Sequence, residues 1–236
     1  MHRYIVFILA IFCFSIQQPY SQSLDQVLAR HFEASGQDAF SRVTTVRSAG
    51  KAMQMGMELP FIQIQKRPDK MYIEIDLQGM KMVQAIDGDS GWAVEPWMSP
   101  DARDLSGPEL HNAGRMAGID SDLINWEEKG YEIEYLGKEL AEGNEMYRLK
   151  LRKGEGDTYH FFIDSGTYLI SRMVTLTDYD GQIVEGETVL SDYRDVEGVM
   201  MPFRTETRYD GETLGTNVIE KIEFDVVIED QVFSKP

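Results

Sequence analysis

The regular alternation of apolar and polar side chains is the feature of this sequence that most constrains its fold. Residues 131–135 read Tyr-Glu-Ile-Glu-Tyr, and residues 147–152 repeat the pattern. A period of two places alternate side chains on opposite faces of a β-sheet, so these segments are predicted strands with one buried and one hydrated face. Because the pattern starts before residue 60 and continues to residue 228, we expect one long antiparallel sheet that covers something apolar.

Turn signals divide the alternating segments into about eleven or twelve predicted strands. Asp180-Gly181 and Asp210-Gly211 are strong hairpin signals, and Leu59-Pro60 is interpreted as a break between strands at 46–57 and 61–66. An open sheet with so many strands usually curls or splits. We therefore predict a mainly β (α+β) protein with a strongly curved antiparallel sheet, an unclosed β-barrel of about 11 strands whose concave face is covered by short helices. A sandwich of two sheets is the alternative.

The helices are predicted in two places. Leu24–Ser35 has apolar side chains at helical spacing, and Gly36 is suited to end this helix. Residues 98–130 interrupt the strand pattern, with short helices predicted at 109–117 and 120–126. This insert is expected to act either as a movable lid or as a fixed packing element.

The first 23 residues have the features of a secretory signal peptide. A basic start precedes an apolar run of roughly 13 residues, and small side chains at 21–23 suit cleavage. The run is shorter than the ~20 residues that span a bilayer, and an uncleaved anchor is the alternative. The only cysteine, Cys13, lies inside this run, so the mature chain would form no disulfide. Residues 24–236 are expected to form a single domain.

The charge balance argues against several classes of partner. The chain has 23 basic and 40 acidic residues, a formal net charge of −17. Such a charge disfavours nucleic acid and is repelled by anionic lipid headgroups. Most acidic residues alternate with apolar ones, as expected for the hydrated face of a sheet.

Catalytic motifs are not found in the sequence. His31, His111 and His160 are far apart along the chain, so we predict no metal site. Two carboxylates that act as acid and base need opposed environments, whereas Glu185 and Glu187 occupy alternate positions on a polar strand face and share a solvated environment. We therefore predict that the protein is not an enzyme, and a hydrolase of unfamiliar geometry is the weaker alternative.

The methionines suggest a binding surface. Met53, Met55 and Met57 alternate along one predicted strand, and Met80 and Met82 along another. Methionine is flexible and suits surfaces that fit variable apolar partners, although it also fills gaps in ordinary cores. Since the predicted helices are too short to cover a large concave face, we expect an apolar ligand there. The candidate cavity residues are Met53, Met55, Met57, Ile73, Ile75, Met80, Met82, Trp92, Met116 and Phe224.

Five stretches of the chain carry a resemblance to a known family. They are LARHFEASG (28–36), KRPDKM (66–71), AIDGDSGW (85–92), FIDSGTYL (162–169) and VEGVMMP (196–202). In this order and spacing the chain resembles the outer membrane lipoprotein-sorting proteins of bacteria, in the Bacteroidota-type branch of the LolA/LolB-like superfamily. The similarity covers nearly all of residues 24–236.

The resemblance implies both a fold and a function. It implies an unclosed antiparallel barrel with helices at its mouth, and a periplasmic carrier that binds lipoprotein acyl chains or lipid without a cofactor. We expect a monomer. Some relatives sense envelope stress and bind an envelope membrane protein, so a protein-interaction module of the same fold is the alternative. The acidic charge departs from the basic contact surface of the sorting carriers, and no residue role is carried over.

Overall fold

The structure, a computed structural model, describes residues 22–141, 143–154, 156–179 and 182–236. The predicted signal peptide up to residue 21 and the predicted Asp180-Gly181 turn therefore lie outside the described residues. Thirteen strands are β1 (Thr45–Gln54), β2 (Met57–Lys66), β3 (Lys70–Leu77), β4 (Met80–Asp87), β5 (Ser90–Glu95), β6 (Ser99–Asp104), β7 (Glu132–Ala141), β8 (Asn144–Arg152), β9 (Thr158–Asp164), β10 (Ile170–Tyr179), β11 (Gln182–Val196), β12 (Val199–Tyr209) and β13 (Glu212–Phe224). The helices are α1 (Leu24–Ser35), α2 (Gln37–Phe40) and α3 (Gly107–Gly114), and a 3₁₀ turn spans Asp230–Phe233.

All the strands belong to one sheet. Their order is β6-β5-β4-β3-β2-β1-β13-β12-β11-β10-β9-β8-β7, so chain neighbours pair with each other and β1 pairs with β13. Every pairing is antiparallel, and β6 and β7 are the two ends of the order. The prediction of an unclosed, curved antiparallel sheet is confirmed, and the alternative of two sheets is wrong. The thirteenth strand is β6, which lies inside the segment that the sequence pattern assigned to the insert.

The first hairpin turn lies four residues earlier than predicted. Met55 and Gly56 connect β1 to β2 with φ values of 51° and 77°, the left-handed pair that a two-residue hairpin requires. Pro60 lies within β2, opposite Lys51 of β1. On the other side of β2 the pairing with β3 begins only at Phe61, so the missing N–H of Pro60 costs no ladder hydrogen bond there. The turn at Asp210 and Gly211 has the same left-handed pair and confirms that prediction.

Helix α1 begins and ends as predicted. The Ser23 hydroxyl accepts a hydrogen bond from the Gln26 backbone N–H, and the Gln26 side chain accepts one from the Ser23 N–H, which forms a capping box. Gly36 ends the helix in the left-handed conformation. The buried side of the helix, which includes Val27 and Leu28, contacts one face of the sheet, and we call this helix-covered face the inner face.

Three of the four core clusters lie on the inner face, and the fourth, around Phe162, lies on the outer face. The largest lies under α1 and joins strands β8 and β9, around Leu149 and Ile163. A second cluster lies beside α2 and contains Phe203 of β12 and Ile222 of β13. The third joins Ala113 of α3 to β3, β4 and β5. Register pairs that run from β4 to β8 place all three clusters on one face of the sheet.

The insert crosses this inner face as a strap. Ala117 packs against Met71 of β3, whereas Arg115 forms an ion pair with Asp157, next to β9. Strands β3 and β9 are seven positions apart in the sheet, roughly 34 Å if the sheet were flat. Three consecutive residues cannot span such a distance, so the contacts require strong curvature of the sheet.

The prediction of a second helix in the insert, at residues 120–126, is wrong. Residues 122–130 form consecutive turns instead, and Asn125 has a left-handed φ of 51° that interrupts a helix. Leu123 is fully buried in the α1 cluster, and Ala117 is fully buried beside α3. Arg67 holds the start of this segment, because its guanidinium contacts Asp120 and the Val43 carbonyl. At these points the insert is a packed element.

The C-terminal segment packs on the outer face. The Trp92 indole N–H donates a hydrogen bond to the Phe233 carbonyl at 2.8 Å, and Phe233 is 1% exposed. Asp230 accepts hydrogen bonds from Lys66 and Lys70. This segment therefore covers the outer side of β2 to β5. No helix among the described residues is long and apolar enough to cross a membrane.

His31 gives the fold a predicted pH dependence. Burial lowers the pKa of His31 below 6.5, partly offset by its hydrogen bond to the Tyr168 carbonyl at 2.8 Å. Below about pH 6.5 the His31 side chain of the unfolded chain binds a proton that the folded protein does not take up as readily. The free energy of unfolding should therefore decrease as the pH is lowered through this range. We expect His31→Gln to show a smaller loss of stability between pH 7.5 and pH 5 in urea titrations.

The comparison of the two proteins isolates His31. Burial also lowers the pKa of His160, but that residue is present in both proteins and cancels in the difference. An identical pH dependence of the two unfolding free energies would contradict the prediction.

Candidate ligand site on the inner face of the sheet

The helices and the strap leave one end of the inner face open. Because neighbouring strands are antiparallel, the turns at 55–56, 78–79, 96–98 and 210–211 lie at the same end of the sheet, which we call the mouth. The opposite end is closed, since the bend between α1 and α2 approaches the turn at 197–198. The candidate site lies in the mouth half, between two flanks of different chemistry.

The first flank is an apolar strip on β2, β3 and β4. Its side chains share the inner face by register, as in the pairs of Ile75 with Phe61 and with Met82. The apolar strip consists of Met57, Leu59, Phe61, Ile73, Ile75, Leu77, Met80 and Met82. Met57 is 40% exposed and Met80 is 49% exposed, so the end of the strip nearest the mouth is open. It could accept hydrocarbon without displacing a core side chain.

Met53, Met55 and Met57, which were predicted to alternate along one strand, do not share one face of the sheet. Met55 is in the hairpin turn, and so Met53 and Met57 lie on different strands. Met57 is opposite Gln54, on the inner face, whereas Met53 is opposite Glu58, on the outer face. The interpretation of an unbroken strand through Met55 is wrong because the two-residue turn reverses the chain there. Met80 and Met82 do share the inner face, as predicted.

The remaining candidate residues of the predicted cavity lie in different parts of the structure. Ile73 and Ile75 lie in the apolar strip. Trp92 lies on the outer face under the C-terminal segment, so its predicted place in the cavity is wrong. Phe224 faces inward but belongs to the closed cluster beside α2, where its ring centroid is 5.9 Å from that of Phe40. Met116 is 56% exposed and lines a cleft, described next.

The second flank borders a cleft of about 570 Å³ between the strap and β9 to β12. The strap contributes Asn112, Arg115, Met116 and Asp122. The strands contribute Thr175 and Thr177 of β10, Thr188 of β11 and Thr207 of β12, which we call the threonine wall. The strand side of the cleft also has three apolar residues, Met173, Val184 and Gly186. Its border is formed by Lys153, Tyr159 and Glu187.

Two ion pairs join the strap to the sheet at this cleft. Arg115 lies 2.7 Å from Asp157, and Lys153 lies 2.7 Å from Asp122. Both cations also lie over the ring of Tyr159, at 5.7 Å and 4.8 Å from its centroid. Burial raises the pKa of Tyr159 above its usual value, so its hydroxyl stays neutral and donates to Asp157. The charges of the two pairs cancel.

Sequence reasoning missed the threonine wall and the paired charges. Thr175 and Thr177 alternate in the sequence, as do Thr205 and Thr207, which is a signal for hydroxyl groups on one strand face. Nothing in the sequence shows that Thr188 and Thr207 are directly opposite each other across β11 and β12. Among the described residues no cluster of three or more histidine, cysteine or acidic side chains is arranged to hold a metal.

Comparisons with known proteins identify the fold. No protein-family model matches the sequence, and no curated protein matches it. A DUF1329 family protein from Desulfovibrio piger is 15% identical, with a TM-score of 0.60 over 88% of this chain and 97% of that one. A LolA superfamily protein from Nitrosomonas europaea is 14% identical, with a TM-score of 0.59 over 91% and 99%. A putative outer membrane lipoprotein-sorting protein domain from Vibrio parahaemolyticus is 12% identical, with a TM-score of 0.59 over 88% and 96%.

These likenesses define the class of the protein by its architecture. The chain has a LolA-like fold, as the sequence resemblance implied. The match covers nearly the whole length of each similar structure. At such low identity the likeness shows the fold alone.

Proposed function

We propose that this protein is a periplasmic carrier that binds the acyl chains of lipids or lipoproteins on its inner face and takes part in outer membrane lipoprotein sorting. In this proposal it is a monomeric, single-domain binding protein of residues 24–236 that needs no cofactor and catalyses no reaction. The signal peptide is cleaved near residues 21–23. A cut before Ser23 would keep the capping box of α1.

The partly open apolar strip is the observation that carries this proposal. The side chains of Ile73, Ile75, Leu77 and Met82 are only partly buried, although they lie on the inner face of a curved sheet. Large apolar surfaces that stay uncovered usually mark a binding site. Burial of an acyl chain contributes about 0.8 kcal/mol for each CH₂ group, so about ten buried CH₂ groups of a long acyl chain provide micromolar affinity without a polar anchor.

The LolA-like fold supports the role in sorting. Two of the similar structures are described as a LolA superfamily protein and a putative outer membrane lipoprotein-sorting protein domain. Fold alone does not carry function, so the apolar strip must be tested directly.

A titration with a fluorescent long-chain fatty acid tests the proposal. We expect the mature protein to bind the probe, and Ile75→Glu to weaken binding by about 30-fold, because a carboxylate in the strip excludes two or three CH₂ groups. Ile62→Glu is the matched control, since Ile62 lies on β2 but faces outward, opposite Glu74 of β3. It should bind the probe as the unmodified protein does. If the unmodified protein takes up no probe and carries no lipid in native mass spectrometry, the carrier proposal fails.

A partner-docking function is the second candidate, supported by the exposed hairpin tips. Several large apolar side chains at the mouth point into solvent, and Met55 is 88% exposed. The exposed tip residues are Met53, Met55, Trp97, Met98, Ile183, Tyr209 and Leu214. In this proposal they contact an envelope membrane protein.

Two variants distinguish docking from cargo binding. A photo-crosslinker at position 55 should capture the envelope protein, and capture should persist in Ile75→Glu if docking is independent of cargo. If Ile75→Glu abolishes both capture and probe binding, the capture reports cargo, and the docking function is rejected.

A further inference from the structure

We propose that the cleft beside the threonine wall binds the uncharged, oxygen-bearing part of an acylated ligand, such as the ester and hydroxyl groups of a monoacylglycerol. This inference rests on the proposed function, because it assumes that the acyl chain of the same ligand lies on the apolar strip. It adds a polar subsite with a defined preference for headgroup charge.

The hydroxyl groups of the threonine wall are available to a ligand. Thr175, Thr177 and Thr188 are half-buried and Thr207 is exposed, and all four line the cleft. Among the described residues none forms a hydrogen bond with these four hydroxyls. Each hydroxyl can donate one hydrogen bond and accept others, which matches esters and alcohols equally well.

The contrast between the two flanks indicates two kinds of ligand surface. The apolar strip presents methyl, methylene and phenyl groups, whereas the equivalent half of β10 to β12 presents threonines. Valine has the same shape as threonine and is the side chain expected on a wall that contacts only hydrocarbon. Threonine at four of these positions therefore points to a ligand that carries oxygen on this side.

The ion pairs favour a headgroup without charge. The guanidinium of Arg115 and the ammonium of Lys153 are each neutralised by a carboxylate at 2.7 Å. A phosphate would have to displace Asp157 or Asp122 from these cations, since both cations are already paired. The formal net charge of −17 also repels anions from the whole protein. A neutral group makes hydrogen bonds to the threonines without either cost.

Met116 connects the cleft to the apolar strip. Its carbonyl accepts a hydrogen bond from Gln65 of β2 at 2.9 Å, so this residue lies above the strand that carries Phe61. Its side chain lines the cleft and is mostly exposed. One ligand can therefore place its oxygen-bearing end on the threonines, pass Met116 and extend its chain along the strip.

Displacement of a fluorescent fatty acid from the mature protein tests the preference for charge. Monooleoylglycerol and oleoyl lysophosphatidic acid carry the same chain but differ in the phosphate. We expect monooleoylglycerol to bind about tenfold more tightly. Tighter binding of the phosphate-bearing ligand, or equal binding of the two, would overturn the inference.

A double variant tests the role of the hydroxyls. Thr188→Val with Thr207→Val keeps shape and strand propensity but removes two hydroxyls, and we expect monooleoylglycerol to bind about tenfold more weakly, as two neutral hydrogen bonds predict. Affinity for the fluorescent fatty acid should change less than about twofold, since its chain contacts the strip. Thr213→Val is the matched control, because Thr213 is exposed on the outer face of β13, opposite Arg208.

The outcomes separate this inference from the proposed function. If the double variant binds monooleoylglycerol as the unmodified protein does, the threonine wall is not a headgroup subsite, although acyl binding stands. If the unmodified protein binds no acyl probe at all, both the carrier proposal and this inference fail. Circular dichroism of each variant excludes unfolding as the cause of a loss.

Discussion

Gly36→Ala is expected to destabilise the protein by about 4 kcal/mol. Gly36 has a φ of 74°, and a Cβ atom there would lie 2.0 Å from the Gly198 carbonyl oxygen and 3.0 Å from the Val199 Cα. The obstructing atoms belong to the backbone, so no side chain can rotate away. The bend between α1 and α2 would have to move from β12, which would disturb the cluster around Phe203. The unfolding midpoint in urea measures this loss, provided that the slope of the transition is unchanged.

Gly211→Ala is the matched control for the backbone conformation. Gly211 has a similar φ of 78° but no atom within 4 Å of the position that a Cβ would occupy. This variant should lose only the ~1 kcal/mol that a left-handed alanine costs. Equal losses in the two variants would show that the close approach at Gly198 does not limit the packing of α1 and α2.

Leu149→Ala is expected to cost about 3 kcal/mol. Leu149 is fully buried at the centre of the α1 cluster, which includes Leu28 of α1, Leu123 of the strap and Phe161 of β9. Truncation leaves a cavity between rigid strands and a helix that cannot collapse completely. Because α1 and the strap both pack on this cluster, the variant should also increase amide hydrogen exchange in both segments.

Leu140→Ala provides the reference for this second prediction. Leu140 is on the neighbouring edge strand β7, but it is 77% exposed. Its truncation should change the unfolding free energy by less than about 0.5 kcal/mol. A loss of this small size for Leu149→Ala would mean that the cluster does not hold the helix and the strap on the sheet.

The core clusters and the open surfaces of the inner face are expected to have separate roles. The clusters under α2 and α3 pack in the closed half, and the α1 cluster runs along β8 and β9 as far as Leu151 and Tyr159. The mouth half keeps the apolar strip and the threonine wall accessible. Variants in these clusters should therefore reduce stability first, whereas variants in the apolar strip and the threonine wall should change ligand affinity with little loss of stability.

Local patterns predicted most of the secondary structure because their causes are local. The period of two in β7 to β13 follows from side-chain alternation in a strand. Helix α1 was predicted from Leu24 to Ser35 because apolar spacing and Gly36 mark it directly. The turn at Asp210 and Gly211 was predicted because few residue types adopt two successive left-handed conformations, and Asp-Gly is one of the pairs that do.

The errors arose where long-range packing or one turn decided the outcome. A helix was predicted at 120–126, but residues 122–130 form turns, with Leu123 packed in the α1 cluster and Asn125 in the left-handed conformation. Trp92 was assigned to the cavity because alternation does not show which face is the inner one, and the distant Phe233 covers it on the outer face. An error in the position of the first turn assigned Met53 to the wrong face.

The sequence by itself determined that this chain forms a curved antiparallel sheet with short helices on one side. Its alternation, turn residues and helix caps act within a few neighbours and can be interpreted without a structure. Only the tertiary structure decided which side chains face the mouth and which of them meet there. Strand register and the crossing of the strap bring Arg115 to Asp157 and Thr188 to Thr207, and these contacts join residues far apart in the chain.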